Sequence, residues 1–159
     1  MHFLWITAAV FLLDQYTKWL VKTKLRLYQS KPIIEDFFHL TYVTNEGMAF
    51  GLSMPGGKSI LLVLSIILTF FIIWFFWQER NSSKLIKLSL SLILAGAFGN
   101  LTDRIIYGKV VDFLDFMIGD FHWYIFNIAD SSVTIGMILF MIHSFIFENK
   151  NISTLKKID

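Results

Sequence analysis

The sequence predicts a mainly α membrane protein: four transmembrane helices with a small sheet and surface loops at one membrane face. Three observations carry this. Of 159 residues, 55% are hydrophobic and 16% charged, an excess that a core of this size cannot hide from water. Four stretches approach the ~20 mostly apolar residues a spanning helix needs. The connections after the first and third stretches are long and contain aromatic and β-branched runs suited to strands.

The first span is expected over about residues 2–21, interrupted by Asp14, Gln15 and Lys18. No basic region precedes it and it continues to Trp19 and Leu20, so it reads as a retained helix rather than a cleaved leader. Asp14 and Lys18 are four apart, hence on one helix face and able to pair, which lowers the cost of placing each in a membrane. Residues 59–78 contain no charged side chain and end in tryptophans, the residues favoured at membrane interfaces. Residues 85–103 form the third span, with Lys87 snorkelling to the headgroups. Residues 131–147 form the fourth, with His143 as its one titratable group. Four spans put both termini on one side and the connections 22–58 and 104–130 on the other. Strands are expected over 37–43, 107–116 and 121–126, all within a single integral-membrane domain of 1–159.

Charge excludes several functions. Fourteen Lys and Arg against 12 Asp and Glu leave a net +2, too little for a nucleic-acid-binding field. There is no cysteine, which removes disulfides, thiolate metal sites and a cysteine nucleophile. Four scattered histidines without an HExxH pattern suggest no metal site. The positive-inside count does not settle orientation: Arg80, Lys84, Lys87, Lys150, Lys156 and Lys157 face one side, and Lys22, Lys24, Arg26, Lys31 and Lys58 the other.

Polar residues in apolar text are the informative ones, because an ionisable group at mid-bilayer costs ~3 kcal/mol even on lenient scales. Besides Asp14 and Lys18 they form four groups: Thr44 to Gly51, Gly96 to Arg104, Gly108 to Phe116 and Phe126 to Ser131. Asn100, Asp103 and Arg104 share one helix face. Their bland reading is close helix packing with a salt bridge at a helix end. Asp112 and Asp130 both lie at the expected membrane surface. On one helix they would be about 27 Å apart, so they meet only if the chain turns back, near Asp120. Two carboxylates in a partly dry site tend to share one proton, giving a base and an acid. That pair can activate water against an amide. Taken alone, Asp130 reads as a helix N-cap ahead of a catalytic role, and Asp115 and Asp120 read as solvated carboxylates. Other readings of the same residues are a small proton- or ion-coupled carrier subunit, with Asp14, Lys18, Asp112 and Asp130 as a relay, or an assembly subunit locked by polar contacts.

Five ordered blocks then resemble one family across nearly the whole chain. They are Asp-Gln-x-x-Lys (Asp14, Gln15, Lys18), Asn-x-Gly-x-Ala-Phe (Asn45, Gly47, Ala49, Phe50), Gly-Ala-x-Gly-Asn-x-x-Asp-Arg (Gly96 to Arg104), Gly-x-Val-x-Asp-Phe (Gly108 to Phe113) and Phe-Asn-x-Ala-Asp (Phe126 to Asp130). The sequence resembles the lipoprotein signal peptidases, or signal peptidase II, aspartic endopeptidases of the bacterial cytoplasmic membrane. The resemblance implies that Asp112 and Asp130 are catalytic, that Asn45, Gly47, Asn100, Arg104, Asn127 and Ala129 line or support the site, and that Asp14 and Lys18 support it. It also implies a β-cradle and active site on the extracytoplasmic side, both termini in the cytoplasm, diacylglyceryl-prolipoprotein substrates cut on the amino side of the lipidated Cys, lateral access from membrane lipid, globomycin-type inhibitors, no cofactor, no nucleic acid and a monomer. Met48, where the family commonly has a small residue, and Tyr124, where a Pro often follows the Trp, are departures that bear on substrate or inhibitor fit. Which acid carries the resting proton is left open by the sequence, since a coupled pair titrates as a unit.

Overall fold

The computed structural model describes residues 3–46, 57–119 and 121–155. Four long helices, α1 (Leu4–Lys24), α2 (Gly57–Gln78), α3 (Lys84–Tyr107) and α4 (Ile128–Leu155), are joined by strands β1 (Ser30–Ile34), β2 (Phe38–Asn45), β3 (Val110–Ile118) and β4 (Phe121–His122). A single 3-10 turn, Glu79–Asn81, links α2 to α3. The strands form one antiparallel sheet in the order β1-β2-β3-β4. Since β1 and β2 follow α1 while β3 and β4 follow α3, the sheet gathers four helix ends on one side of the bundle.

Three helices, α2, α3 and α4, are long and apolar enough to cross a membrane. In α1, Asp14, Gln15 and Lys18 dilute the apolar text. Those residues turn inward, however: Asp14 and Lys18 are buried while Leu12, Leu13, Tyr16 and Trp19 are exposed. Helices α2 and α4 likewise expose Ile67, Phe70, Trp74, Ile138 and Met141. Such a belt would aggregate in water and suits lipid.

Helix α3 packs on the other three, and small residues let it do so. Ser89, Ser91, Ala95, Gly96 and Gly99 are buried along it. A Cβ on Gly96 would stand 2.6 Å from a Val133 methyl and 2.7 Å from Ser132 Oγ, besides overlapping the Ala129 carbonyl. Close backbone approach of this kind substitutes for the hydrophobic force that lipid does not supply. The Thr7 hydroxyl adds an interhelical bond to the Ser91 carbonyl at 3.0 Å.

The helix ends explain how the strands begin. Gly108 adopts φ +68°, and its N–H bonds the Arg104 carbonyl at 3.0 Å, the left-handed C-terminal cap that glycine fills without strain. Helix α3 therefore runs through Tyr107, where a strand was expected, and Asn100, Asp103 and Arg104 sit inside its last two turns. The expected strand over 121–126 reduces to β4 plus one bridge, Leu114 to Phe126. Strand β1, which contains Pro32, was not expected. It lies at the sheet edge, where a proline's missing N–H is tolerated. The anticipated turn residue Asp120 and the segment containing Gly47 and Met48 lie outside the described residues. Val21 of α1 packs on Val111 and Phe113 of β3, with Leu25, Leu40, Tyr42, Leu114 and Ile128 around them; this small core clamps the sheet to the bundle.

Gly96→Ala is expected to part α3 from α4 and to cost about 1–3 kcal/mol, as overpacking does. A thermal melt of the detergent-solubilised variant matching wild type would show that the two backbones are not held this close.

Candidate active site

The site is built from the inside out, starting with a lysine. Lys18, 1% exposed, places Nζ 2.9 Å from Asp14 Oδ2, 3.1 Å from Asp103 Oδ2 and 3.1 Å from Asn100 Oδ1. An ammonium has three hydrogens, so all are used. The i, i+4 pairing of Asp14 with Lys18 is as expected. Asp103, in contrast, pairs with α1 rather than with its neighbour Arg104. Because two carboxylates share one cation, neutral donors complete the cluster. Gln15 Nε2 reaches Asp14 Oδ2 at 3.1 Å and Asp103 Oδ1 at 3.2 Å, the Ala129 N–H donates to Asp14 Oδ1 at 2.9 Å, and the Val111 N–H donates to Asp103 Oδ2 at 3.1 Å. One buried cluster thus ties α1 and α3 to the first residues of β3 and α4.

Those first residues carry the two acids. Asp112 is the third residue of β3 and faces Val43 of β2 across the ladder. Asp130 lies in the first turn of α4. Asn127 joins them: its Nδ2 donates to Asp112 Oδ1 at 2.6 Å, its backbone N–H donates to Asp130 Oδ2 at 3.2 Å, and its Oδ1 accepts from the Asp130 N–H at 2.9 Å. The last two bonds form a reciprocal capping box. Hence Asn127 caps α4, and Asp130 closes the box three residues later instead of being the cap. Asp130 Oδ1 accepts in addition from Asn100 Nδ2 at 2.7 Å. Lys18 and Asn127 Nδ2 both point at Asn100 Oδ1, so the Asn100 amide can present only its NH2 to Asp130.

Asp112 and Asp130 open together onto a cleft of about 470 Å³ walled by Asn45, Trp123, Tyr124, Phe126, Thr134 and Ile135. Asp112 is 3% exposed. Burial, and then the negative charge of Asp130, push its carboxyl up to about 7, against the opposing pull of Asn127 and Lys18. Arg104 is half-buried, donates to the Asn100 carbonyl at 3.3 Å, and interacts electrostatically with Asp130, Asp112 and Asp103. Among the described residues no group of three His, Cys, Asp or Glu could hold a metal ion.

Of the residues singled out from sequence, Asn45, Asp112 and Asp130 reach the cleft, while Asn100 and Asn127 lie directly behind the acids. Asp14, Lys18 and Ala129 stand further back, Ala129 fully buried with its N–H on Asp14. Gly47 lies outside the described residues. Gln15 was named only as an interruption of the first span and in a motif, and Asp103 was placed on the face of Asn100 and Arg104 without a role at the site; both belong to the buried cluster. Asp115 is a correction: it is 2% exposed and accepts a hydrogen bond from the Thr41 hydroxyl at 2.6 Å, so it is no solvated edge carboxylate. That partner is 74 positions away, and only the β2–β3 register brings it near.

Lys18→Met leaves Asp14 and Asp103 buried without their cation, and its expected cost is about 3–5 kcal/mol. Chemical or thermal denaturation in detergent measures this. A loss under 1 kcal/mol would mean that water or a shared proton replaces the ammonium.

Comparison with known proteins agrees with this geometry. Residues 6–146 match the family model described as Signal peptidase (SPase) II. The chain is 43% identical over 142 residues to a lipoprotein signal peptidase of Desulforapulum autotrophicum, covering 87% of this chain and 88% of that one. It is 45% identical over 138 residues to one of Halothermothrix orenii, covering 87% and 91%. A bacterial membrane enzyme solved by the in meso method at 2.3 Å resolution superposes with a TM-score of 0.83 at 34% identity, over 94% of this chain and 90% of that one. A second, at 1.9 Å, gives a TM-score of 0.81 at 36% identity, over 89% and 91%. With apolar helices, a buried polar cluster and paired acids at one end of the bundle, the chain belongs to the signal peptidase II family, the lipoprotein signal peptidases.

Proposed function

We propose that Asp112 and Asp130 are the catalytic dyad of this membrane aspartic peptidase, and that it cuts prolipoproteins on the amino side of a Cys already carrying diacylglycerol. The observation that carries the reading is Asn127, which bonds both carboxyl groups at the floor of one cleft. The two environments divide the labour. Asp112, with its proton held to about pH 7 by burial and by Asp130, is the acid. Asp130 accepts N–H donors on both oxygens in the first turn of a helix, an arrangement that suits a carboxylate, and is the base.

The chemistry follows. Asp130 takes a proton from water as the oxygen attacks the scissile carbonyl carbon, and Asp112 gives its proton to the carbonyl oxygen. In the resulting gem-diol, Asp112 takes a proton back from one hydroxyl. The C–N bond breaks and Asp130 delivers its proton to the departing amine. Both acids return to their starting states.

On this reading α1 is the fourth span, with its two buried charged residues, Asp14 and Lys18, turned to α3. The cleft faces the extracytoplasmic side and both termini the cytoplasm, because an exported prolipoprotein presents its cleavage site after crossing. The exposed apolar helices let the signal helix and its lipid approach laterally from the bilayer. A globomycin-type inhibitor would fill the same cleft, and a monomer suffices, since both acids and their partners come from one chain.

Asp112→Asn and Asp130→Asn should each lower cleavage of a diacylglyceryl-prolipoprotein by about 10²–10⁴-fold or more while keeping the wild-type circular dichroism. A folded variant with near-normal cleavage would remove that acid from the dyad. The pH dependence has a defined sign. Asp112 binds its proton more tightly folded than unfolded, where an aspartate titrates near ~3.9. Its contribution therefore erodes stability as pH rises from about 4 to about 7. Wild-type kcat/KM should fall through the same upper limit as the acid is lost. Asp112→Asn should melt close to wild type at pH 4 and above it at pH 8; a constant gap between the two curves would contradict the raised proton affinity.

A further inference from the structure

A second concavity lies away from the acids, at the end of α1 nearest the sheet. Leu20, Val21, Leu25 and Leu40 form its apolar floor, and Lys24, Gln29 and Lys31 its rim, around about 570 Å³. No carboxylate lines it. Among the described residues no ion pair engages Lys24 or Lys31, whereas the nearby Lys22 is placed over the Tyr107 ring at 3.9 Å. Gln29 uses Oε1 to accept from the Arg26 N–H at 2.8 Å, which leaves its NH2 as a donor.

The depth of this groove can be read along α1. Tyr16, Leu20 and Lys24 are spaced i, i+4, i+8 and so form one stripe, with Leu13 one turn below. Tyr16 stacks on Trp19 at 5.9 Å between ring centroids, and both are exposed. A helix of 21 residues is about 31 Å long, close to the thickness of the hydrocarbon core, so α1 reaches the headgroups only at its ends. Lys24, its last residue, stands there, about 12 Å along the axis beyond Tyr16. An apolar track therefore runs up from the bilayer interior and ends at two cations and an amide donor.

We propose that this groove binds an anionic membrane phospholipid, its phosphate between Lys24 and Lys31 and an acyl chain along Leu13, Tyr16 and Leu20. A zwitterionic lipid carries its own cation near the phosphate and gains less from two lysines. The bound lipid would brace the junction of α1 with β1 and β2 without touching the acids, since the groove shares no lining residue with the catalytic cleft. The proposal rests on α1 crossing the membrane.

The test is native mass spectrometry and thermal melting of the full chain in detergent with added phosphatidylglycerol or phosphatidylcholine. Wild type should retain one phosphatidylglycerol with about thirtyfold preference over phosphatidylcholine, as two lysines near an anionic headgroup would give, and melt higher with it. Lys24→Gln/Lys31→Gln should lose both effects yet cleave prolipoprotein normally in phosphatidylcholine. Glycerol 3-phosphate without acyl chains should not reproduce the stabilisation; if it does, the site is for free phosphate and the lipid is excluded. No lipid preference, or a preference that survives the double substitution, overturns the site. The spanning premise is read separately: the chain has no cysteine, so Leu13→Cys in vesicles can be probed with a membrane-impermeant maleimide. Protection supports the premise, and labelling overturns both it and the lipid site.

Discussion

One ammonium group holds this structure in register. Lys18 is surrounded by Asp14, Asp103 and Asn100, and each of these goes on to grip a different residue of the next elements: Asp14 the Ala129 N–H and Asn100 the acid Asp130, both at the start of α4, and Asp103 the Val111 N–H at the start of β3. In lipid, helices gain nothing from hiding apolar faces from one another. An inward polar cluster supplies both attraction and a unique alignment, since a one-turn slip would strand charges in hydrocarbon. The stripe of glycine, alanine and serine on α3 is the other half of the arrangement. It brings backbones close enough for a short aspartate on α1 to reach the backbone N–H of Ala129 on α4.

The active site inherits its geometry from that scaffold rather than from the loops around it. Val111, whose N–H Asp103 holds, immediately precedes Asp112. Asp130 follows Ala129, the residue that Asp14 holds. Both acids are therefore adjacent in sequence to a backbone amide anchored on the buried cluster. This is how two carboxylates on separate elements can be kept at a fixed separation without a metal-ligand framework. Burial, and then the charge of Asp130, raise the proton affinity of Asp112, which suits the acid of the proposed dyad.

Much of this was legible in the sequence because membrane chains advertise their functional residues: an Asp in apolar text is conspicuous. The Asp14–Lys18 pair followed from spacing alone, and the apolar surroundings of Asp112 argued correctly against a fully solvated carboxylate. The same spacing rule placed Asp103 on the face of Asn100, but its partner Lys18 sits on another helix. Asp115 was misjudged because its burial depends on Thr41 and on a strand register with an irregularity between Leu40 and Val43. No local pattern reveals such a register. The alternative reading of Asp130 as a cap missed by three residues: Asn127 is itself a good cap, and the box places Asp130 one turn later.

Asn127 also shows why capping and catalysis are compatible here. The capping box consumes one oxygen of Asp130 and the backbone N–H of Asn127, while the side-chain NH2 of Asn127 remains to reach Asp112. Removing that side chain would unwind the helix start and release both acids at once. The cleft walls are drawn from elsewhere: Trp123 and Tyr124 belong to the connection after β4, and Asn45 to the end of β2. On the proposed function, a floor fixed by buried hydrogen bonds and walls that include the connection after β4 would admit substrates of differing sequence without disturbing the distance between the two acids. For an enzyme that must accept many signal helices but make one kind of cut, that separation of recognition from chemistry is the physical requirement the fold meets.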